Sequence, residues 1–388
     1  MNRAHKQKWR ILAGAWAAAA FFAWPILKHR VIPTDWEWRT TLALILGYGF
    51  AVFLLSRFYR AESHRLGRSQ NLILAILIFL LTAFVNQIHY YFIDQGSLFP
   101  YATNLVWQER LQRDVINLSP AVLPHSYRFL PNGIVLWMQL CRVDFHVARD
   151  IYRLVFGLLL FYAIYRYARL YTNYLGGLLA MLLVAVAFPI SFEDYAGQLT
   201  DPMSHLSFVL AFIFLQTGDF EYFISTLLIG SLAKETILAL TGYYLLFCRN
   251  EKRYVTKSLA LCIGTLVSYF GVRLLVLHEF LHYRQVSAGL TPDHIAKNLH
   301  GSGWLLTILV LLGGYASFLV LGWKETPKTL KYLLLYLTPI LIGTNLVIGW
   351  LHEARNYMPS VFALAVIAAR YISRRCAPDD PTSYGIRR

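Results

Sequence analysis

The chain has 388 residues, of which 57% are hydrophobic and 15% are charged, and its formal net charge is +15. Because about a quarter of the residues of a soluble domain are charged, this composition excludes an ordinary soluble protein and predicts an all-α polytopic membrane protein. The positive charge is then explained by cytoplasmic loops or by an anionic ligand, and we expect membrane lipids rather than nucleic acid as partners.

The N-terminus begins with the basic stretch "MNRAHKQKWR", and an apolar run follows it without a small-residue cleavage site. We therefore expect a retained first helix rather than a signal peptide. The four cysteines (Cys141, Cys248, Cys262 and Cys376) form no CxxC pair. They predict neither a disulfide framework nor a zinc site.

Apolar runs predict the membrane-spanning helices. One run, 222–248, contains Lys234 and Glu235, and a single helix would place both charges at mid-membrane at a high cost. Two short helices that meet near Lys234 are the better interpretation, which brings the total to about twelve spans. The runs are 11–27, 41–56, 71–92, 151–170, 174–190, 203–218, 222–248, 255–277, 302–322, 328–350 and 356–373.

The distribution of Lys and Arg orients these spans with both termini in the cytoplasm. This orientation requires that the apolar stretch Ile134–Leu140 does not cross the membrane. Seven helical residues extend only about 10 Å, against a hydrocarbon core of about 30 Å. We therefore expect an interfacial helix there, after the polar segment Tyr91–Gly133 of the first large outer loop.

Polar side chains gather at the predicted outer ends of the spans. Asp94 follows the span at 71–92, whose last turns contain Asn86, Gln87 and His89 and suggest a helix end that faces a cavity. A solvated helix end is the alternative for Asp94.

The second outer loop is "FPISFEDYAGQLTDPMSH", in which Pro189 is expected to end one helix and Pro202 to open the next. Asp201 is a plausible N-cap, but this loop is richer in polar groups than a simple turn requires. The candidate substrate-binding residues of the loop are Glu193, Asp194 and Gln198.

Three cations are candidates for binding an anion. Lys234 and Glu235 point about 100° apart on a helix, so Lys234 is expected to face a separate anion, either a ligand phosphate or an internal carboxylate. Arg128 lies in "PHSYRFLPNG", where a membrane-surface anchor is the alternative. Arg355 lies beside His352 and Glu353 in "GWLHEARNYMP", and its alternative is snorkelling to the interface.

Two stretches carry a resemblance to a known superfamily: "ARDIYRLVFGLLLFYAIYRYARLYTNYLGGLLAMLLVAVAFPISFEDYAGQLTD" and "LLIGSLAKETILAL". Together with the outer acid Asp94 they resemble GT-C glycosyltransferases, which transfer sugars from polyprenyl-phosphate carriers on the outer side of the membrane. The resemblance covers roughly residues 71–250. Unlike the family pattern, the chain has two extra spans before the Asp94 helix, and Gln95 follows Asp94 where some members have a second acid.

The resemblance implies a division of the chain and a set of roles. Residues 1–70 would form two extra spans and a basic cytoplasmic loop, 71–250 the GT-C-like core, 251–375 the C-terminal spans and 376–388 a cytoplasmic tail. Asp94 maps to the catalytic base, and the second catalytic acid, in the second outer loop, maps to Asp201, with Glu193 or Asp194 as the alternatives. Glu235, His352 and Glu353 are assigned to substrate binding.

The expected chemistry is inverting transfer of a sugar from a polyprenyl-phosphate donor to a glycan, lipid or protein acceptor at the outer face of a bacterial inner membrane. Arg128, Lys234 and Arg355 would stabilise the leaving phosphate. The sequence has no metal-binding motif, although Asp94 and Asp201 could hold a divalent cation. The alternatives are a polysaccharide polymerase or ligase that uses lipid-diphosphate glycans, and a lipid or solute transporter such as a flippase.

Overall fold

The fold is all-helical throughout the part of the chain that the structure, a computed structural model, describes. The described residues are 38–62, 65–91, 105–117, 125–191, 199–277, 292–300, 305, 308–347 and 349–376, and they contain no β-strand. This agrees with the all-α membrane class that the composition predicts.

The described α-helices are numbered α1 to α14 in chain order. Short 3-10 turns at His125–Tyr127, Glu235–Ala239 and Ala354–Tyr357 interrupt them, and a π-helical turn at Leu309–Gly313 leads into α12. The helices are α1 Trp38–Glu62, α2 Arg68–His89, α3 Leu105–Ile116, α4 Phe129–Leu140, α5 Phe145–Arg169, α6 Tyr174–Ser191, α7 Thr200–Thr217, α8 Phe220–Ser231, α9 Leu240–Phe247, α10 Tyr254–Leu277, α11 Pro292–His300, α12 Gly314–Leu321, α13 Lys328–Val347 and α14 Met358–Cys376.

Four of the described helices are long and apolar enough to cross a membrane. They are α2, α6, residues Tyr254–Leu274 of α10, and α13. Their length and composition support an integral membrane protein, because about 20 apolar residues span the hydrocarbon core. The larger count of about twelve spans stays a prediction.

The chain forms two compact units, of which the first comprises Met1–Leu44, Val106–Tyr152 and Gln198–Gln285. Within it, α7 packs against α8, and α8 packs against α10. Small residues bring α7 and α8 close together, since a Cβ placed on Gly230 would lie 2.8 Å from the Cβ of Ser207. Hydroxyl pairs tie α8 and α9 to α10, with 2.5 Å between Ser231 and Ser268.

The second unit comprises Ile45–Leu105, Arg153–Gly197 and Val286–Arg388, and α14 lies at its centre. Helix α14 packs against α6, α12 and α13, and α2 also packs against α6. The stretch 361–369 of α14 is buried along its whole length, and its alanines permit close helix packing. The hydroxyls of Thr172 and Ser373 hydrogen-bond at 3.0 Å beside the end of α14.

The helix break predicted near Lys234 is confirmed. Helix α8 ends at Ser231, Lys234 has extended backbone (φ −160°, ψ 119°), and a 3-10 turn follows it. Helix α6 ends at Ser191, two residues after Pro189 and one residue beyond the predicted run 174–190. The N-cap expected at Asp201 is wrong: the residue before α7 is Leu199, which places Asp201 inside the first turn.

The stretch Ile134–Leu140 forms the second half of α4. The twelve residues of α4 extend about 18 Å, too little to cross a hydrocarbon core of about 30 Å. Its apolar side chains pack within the first unit, where Phe129 and Leu136 form a buried cluster with Ile116. The interfacial position of α4 stays a prediction.

The close packing of α7 and α8 predicts that Gly230 tolerates no large side chain. Gly230→Leu should lower the free energy of unfolding by about 1–3 kcal/mol, because the new side chain must displace Ser207. Thermal unfolding of the purified protein in detergent measures this. Gly343→Leu is the matched control, since no atom lies within 4 Å of the added Cβ; equal losses for the two variants would contradict the packing.

Candidate functional site

The helix break exposes two adjacent charges to different surroundings. Because side chains alternate along an extended backbone, Lys234 and Glu235 face different partners. Lys234 is only 6% exposed, whereas Glu235 is half-buried. The break therefore places an ammonium and a carboxylate in two separate ion pairs.

The first pair joins Glu235 to Arg128, the residue before α4. Arg128 donates from Nε to Oε2 over 3.1 Å and from Nη2 to Oε1 over 2.9 Å, a two-pronged pairing that fixes the guanidinium plane. Nη1 of Arg128 lies 3.3 Å from Nδ1 of His125. Since arginine can only donate, this contact requires His125 with its proton on Nε2. Arg128 is thus buried and held by protein groups rather than serving as a surface anchor.

The second pair joins Lys234 to Asp201, with 3.3 Å between Nζ and Oδ1. Asp201 is 5% exposed and lies in the first turn of α7, where the helix dipole favours a negative charge. Of the two partners expected for Lys234, the structure therefore supplies the internal carboxylate.

A third cation, Arg273 of α10, was not among the predicted site residues. Its guanidinium carbon lies 3.5 Å from the ring centroid of Tyr269 and 4.2 Å from that of Tyr127, a cation–π arrangement on two faces. It donates from Nη1 to the carbonyl of Tyr269 at 2.8 Å and is 4% exposed. Its ring partner Tyr127 directly precedes Arg128 in the chain. The apolar run 255–277 contains two cations, Lys257 at its start and Arg273 four residues before its end. A cation inside such a run is the sequence signal that would have found Arg273.

We call these five residues (Arg128, Asp201, Lys234, Glu235 and Arg273) the helix-break cluster. All belong to the first unit, and they combine three cations with two carboxylates. Buried ion pairs contribute little net stability, because the loss of hydration offsets the attraction. The same low-dielectric surroundings strengthen the attraction of fixed cations for an incoming anion. The cluster is therefore suited to binding an anionic group.

A separate polar site lies in the second unit, at residues 349–357 between α13 and α14. There Oε2 of Glu353 accepts hydrogen bonds from Arg355 (3.0 Å) and from Asn356 (2.9 Å). Arg355 is buried, so it does not snorkel to the interface. His352 packs near Trp350, with 5.5 Å between ring centroids. The three residues predicted here thus lie in one turn.

The polar last turn of α2 has an internal partner as well. Nε2 of His89 lies 2.6 Å from Nη1 of Arg153 in α5, and both residues are buried. Arginine donates, so His89 accepts at Nε2. Gln87, by contrast, is exposed.

Four of the predicted site residues (Asp94, Glu193, Asp194 and Gln198) lie outside the described residues, so their roles stay predictions. Within the described segments, no group of three or more His, Cys, Asp and Glu side chains is arranged to hold a metal. A divalent cation shared by Asp94 and Asp201 also stays a prediction, and on Asp201 it would share the carboxylate with Lys234.

The chain matches no family model, no curated protein and no solved structure. Its function is therefore argued from the helix-break cluster and from the composition of its helices.

The buried pairing of Lys234 with Asp201 predicts strong energetic coupling. Lys234→Met and Asp201→Asn should each cost about 3–5 kcal/mol, because each leaves a buried charge without its partner, and the double variant should cost much less than their sum. Thermal unfolding of the four proteins in one detergent measures the coupling.

The matched control is the more exposed pair between Lys257 and Glu251, where the N–O distance is 2.6 Å. Lys257→Met should cost no more than about 1 kcal/mol, because water screens the pair. Additive effects of Lys234→Met and Asp201→Asn would contradict the ion pair.

Proposed function

We propose that this chain is an integral membrane glycosyltransferase of the GT-C type, which moves a sugar from a polyprenyl-phosphate carrier to an acceptor. The helix-break cluster is the observation that carries the proposal. It brings an ammonium and two guanidinium groups to one break between apolar helices, within a chain that has four helices suited to crossing a membrane. A phosphate attached to a lipid tail is an anion that resides in such surroundings.

The cluster fits the change of charge in this reaction. The donor is a phosphodiester with one negative charge, and the released carrier is a monoester whose charge is about −1.5 to −2 at neutral pH. Fixed cations bind the released phosphate monoester more strongly than the donor phosphodiester. They therefore stabilise the negative charge that develops on the phosphate in the transition state. The cluster supplies three cations for this purpose: Arg128, Lys234 and Arg273.

The resident carboxylates have a positioning role in this mechanism. Glu235 orients the plane of Arg128, and Asp201 holds the ammonium of Lys234. A carboxylate paired with a buried ammonium is stabilised in its charged form and is a weak proton acceptor. Asp201 is therefore assigned to holding Lys234 in place, and Asp94 remains the candidate general base.

The reaction balances as a single displacement. The oxygen of an acceptor hydroxyl forms a bond to the anomeric carbon, and the bond from that carbon to the phosphate oxygen breaks. The hydroxyl proton passes to Asp94, and the bonding electrons pass to the phosphate beside Lys234 and Arg128. One displacement inverts the configuration of the sugar. Glu193, Asp194 and Gln198, in the second outer loop, are assigned to substrate binding.

The location follows from the same proposal. The charge distribution puts both termini in the cytoplasm, so the transfer takes place at the outer face of a bacterial inner membrane, in cell-envelope glycan synthesis. The acceptor is a glycan, a lipid or a protein.

A transfer assay in proteoliposomes tests the proposal, with polyprenyl-phosphate hexoses as donors and hydroxyl-bearing glycans as acceptors. Lys234→Met should lower turnover by about 100-fold or more, because it removes a cation from the leaving phosphate. Asp94→Asn should abolish turnover and leave donor binding within about two-fold of the unchanged protein, because the base is not needed for binding.

Lys257→Met is the control for these variants, since it removes a lysine of the first turn of α10 that pairs with Glu251 outside the cluster, and it should leave turnover unchanged. Movement of the intact donor across the bilayer without transfer would support the flippase alternative instead. Full activity of Asp94→Asn would remove Asp94 as the base, and full activity of Lys234→Met would remove the cluster from the reaction.

A further inference from the structure

A side chain from another helix forms hydrogen bonds with the turn between α13 and α14. Nδ2 of Asn298, in α11, lies 3.0 to 3.2 Å from the carbonyl oxygens of Asn345, Leu346 and Gly349, and its Oδ1 accepts from the backbone N–H of Leu351 at 3.0 Å. Carbonyls at the end of a helix lack intrahelical partners, so one amide caps the end of α13 and fixes the turn that follows.

A second residue of α11 supports the same turn. Nε2 of His294, one helical turn before Asn298, donates to the carbonyl of Gly349 at 2.6 Å. The His294 ring also packs against the indole of Trp350, with 4.7 Å between centroids. Both His294 and Asn298 are buried. The two residues of α11 thus contact both the backbone of the turn and the indole of Trp350.

The side chains that this turn presents are an aromatic ring and planar polar groups. Trp350 is 39% exposed, and His352 packs against it. The partly exposed Glu353 and Asn356 are joined at 2.9 Å, and Asn356 also donates to Oδ1 of Asn345 at 3.0 Å. These hydrogen bonds orient the carboxylate and the amide, and the backbone N–H of Glu353 donates to the carbonyl of Trp350 at 3.2 Å within the same turn.

We propose that the surface formed by Trp350, His352, Glu353 and Asn356 binds a neutral saccharide. A sugar ring presents polarised C–H bonds on one face and hydroxyls at its edge. The negative face of an indole attracts the polarised C–H bonds, and planar carboxylate and amide groups form hydrogen bonds with the hydroxyls. Arg355 is paired with Glu353 at 3.0 Å, which balances the charge of the turn and favours a neutral ligand over a phosphate. The proposal concerns binding alone and does not depend on the transfer reaction.

The test measures binding of methyl glycosides of glucose, galactose, mannose and N-acetylglucosamine to the full chain in lipid nanodiscs. The chain has 10 Trp residues, so the Trp350 signal is the difference in fluorescence between the unchanged protein and Trp350→Phe. We expect a saturable Trp350-dependent change for at least one sugar, with a Kd of about 1 mM or weaker, as befits a small neutral ligand.

Saturation-transfer NMR on the same glycosides should show at least a ten-fold weaker affinity for Glu353→Gln and for Asn356→Ala. These two variants keep the indole and provide a second test if Trp350→Phe does not fold. The control is Lys257→Met, which removes one partner of the ion pair with Glu251, outside this turn and outside the helix-break cluster, and should leave saccharide affinity unchanged.

Three outcomes overturn the proposal: no glycoside of the panel binds, binding persists unchanged in Glu353→Gln and Asn356→Ala, or Trp350 responds to brominated lipid and to no sugar. The last outcome would make Trp350 a membrane-interface anchor. Saccharide binding without any transfer activity would leave this proposal standing and remove the proposed transferase function.

Discussion

The structure of the first unit depends on two consecutive residues, Lys234 and Glu235, that form ion pairs with two different partners. Each would be costly inside an apolar helix, and each is neutralised by a residue from a different part of the chain, Asp201 and Arg128. The helix must break for this to happen, because only an extended backbone sends neighbouring side chains to opposite sides. The break is therefore a consequence of where the counter-charges lie, and it draws α4, α7 and α8 to one place.

The buried charges of the helix-break cluster contribute little to the stability of the fold. An apolar core of similar volume would hold these helices together at least as well, since buried ion pairs barely repay their lost hydration. Arg273 adds a third cation, held between Tyr127 and Tyr269, where packing alone would favour leucine. The retention of charge is explained if the cluster meets an anion during the working cycle of the protein. A lipid-linked phosphate is the anion that our proposal assigns to it.

The sequence predicted those parts of the fold that depend on composition and on the free-energy cost of placing charges inside an apolar helix. The all-helical class follows from composition, and the helix break follows from two charges within an apolar run. The N-cap role of Asp201 was wrong because capping is a local rule, whereas the partner of Asp201 is a lysine 33 residues away. Pro189 did not end α6 at once, since it stands in the last turn of the helix.

Tertiary partners explain what sequence reasoning missed in the candidate site. Arg273 pairs with rings contributed by its own helix and by the 125–127 turn, a contact that no spacing in the sequence reveals. The capping of α13 by Asn298 likewise joins segments 47 to 53 residues apart. Arg273 stands out in the sequence as a cation inside an apolar run, whereas Asn298 does not stand out, because its helix "PDHIAKNLH" is mostly polar; the partner of each residue lies far along the chain or in another segment.

The most direct test of the central claim compares how tightly the full chain binds polyprenyl phosphate and the matching polyprenyl alcohol, measured by native mass spectrometry in one detergent. The account predicts that the phosphate binds at least about ten-fold more tightly, because each ten-fold step corresponds to about 1.4 kcal/mol of added attraction to the cations. It predicts that Arg128→Gln and Arg273→Met remove most of this preference. Equal binding of the alcohol and the phosphate by the unchanged protein would contradict the account.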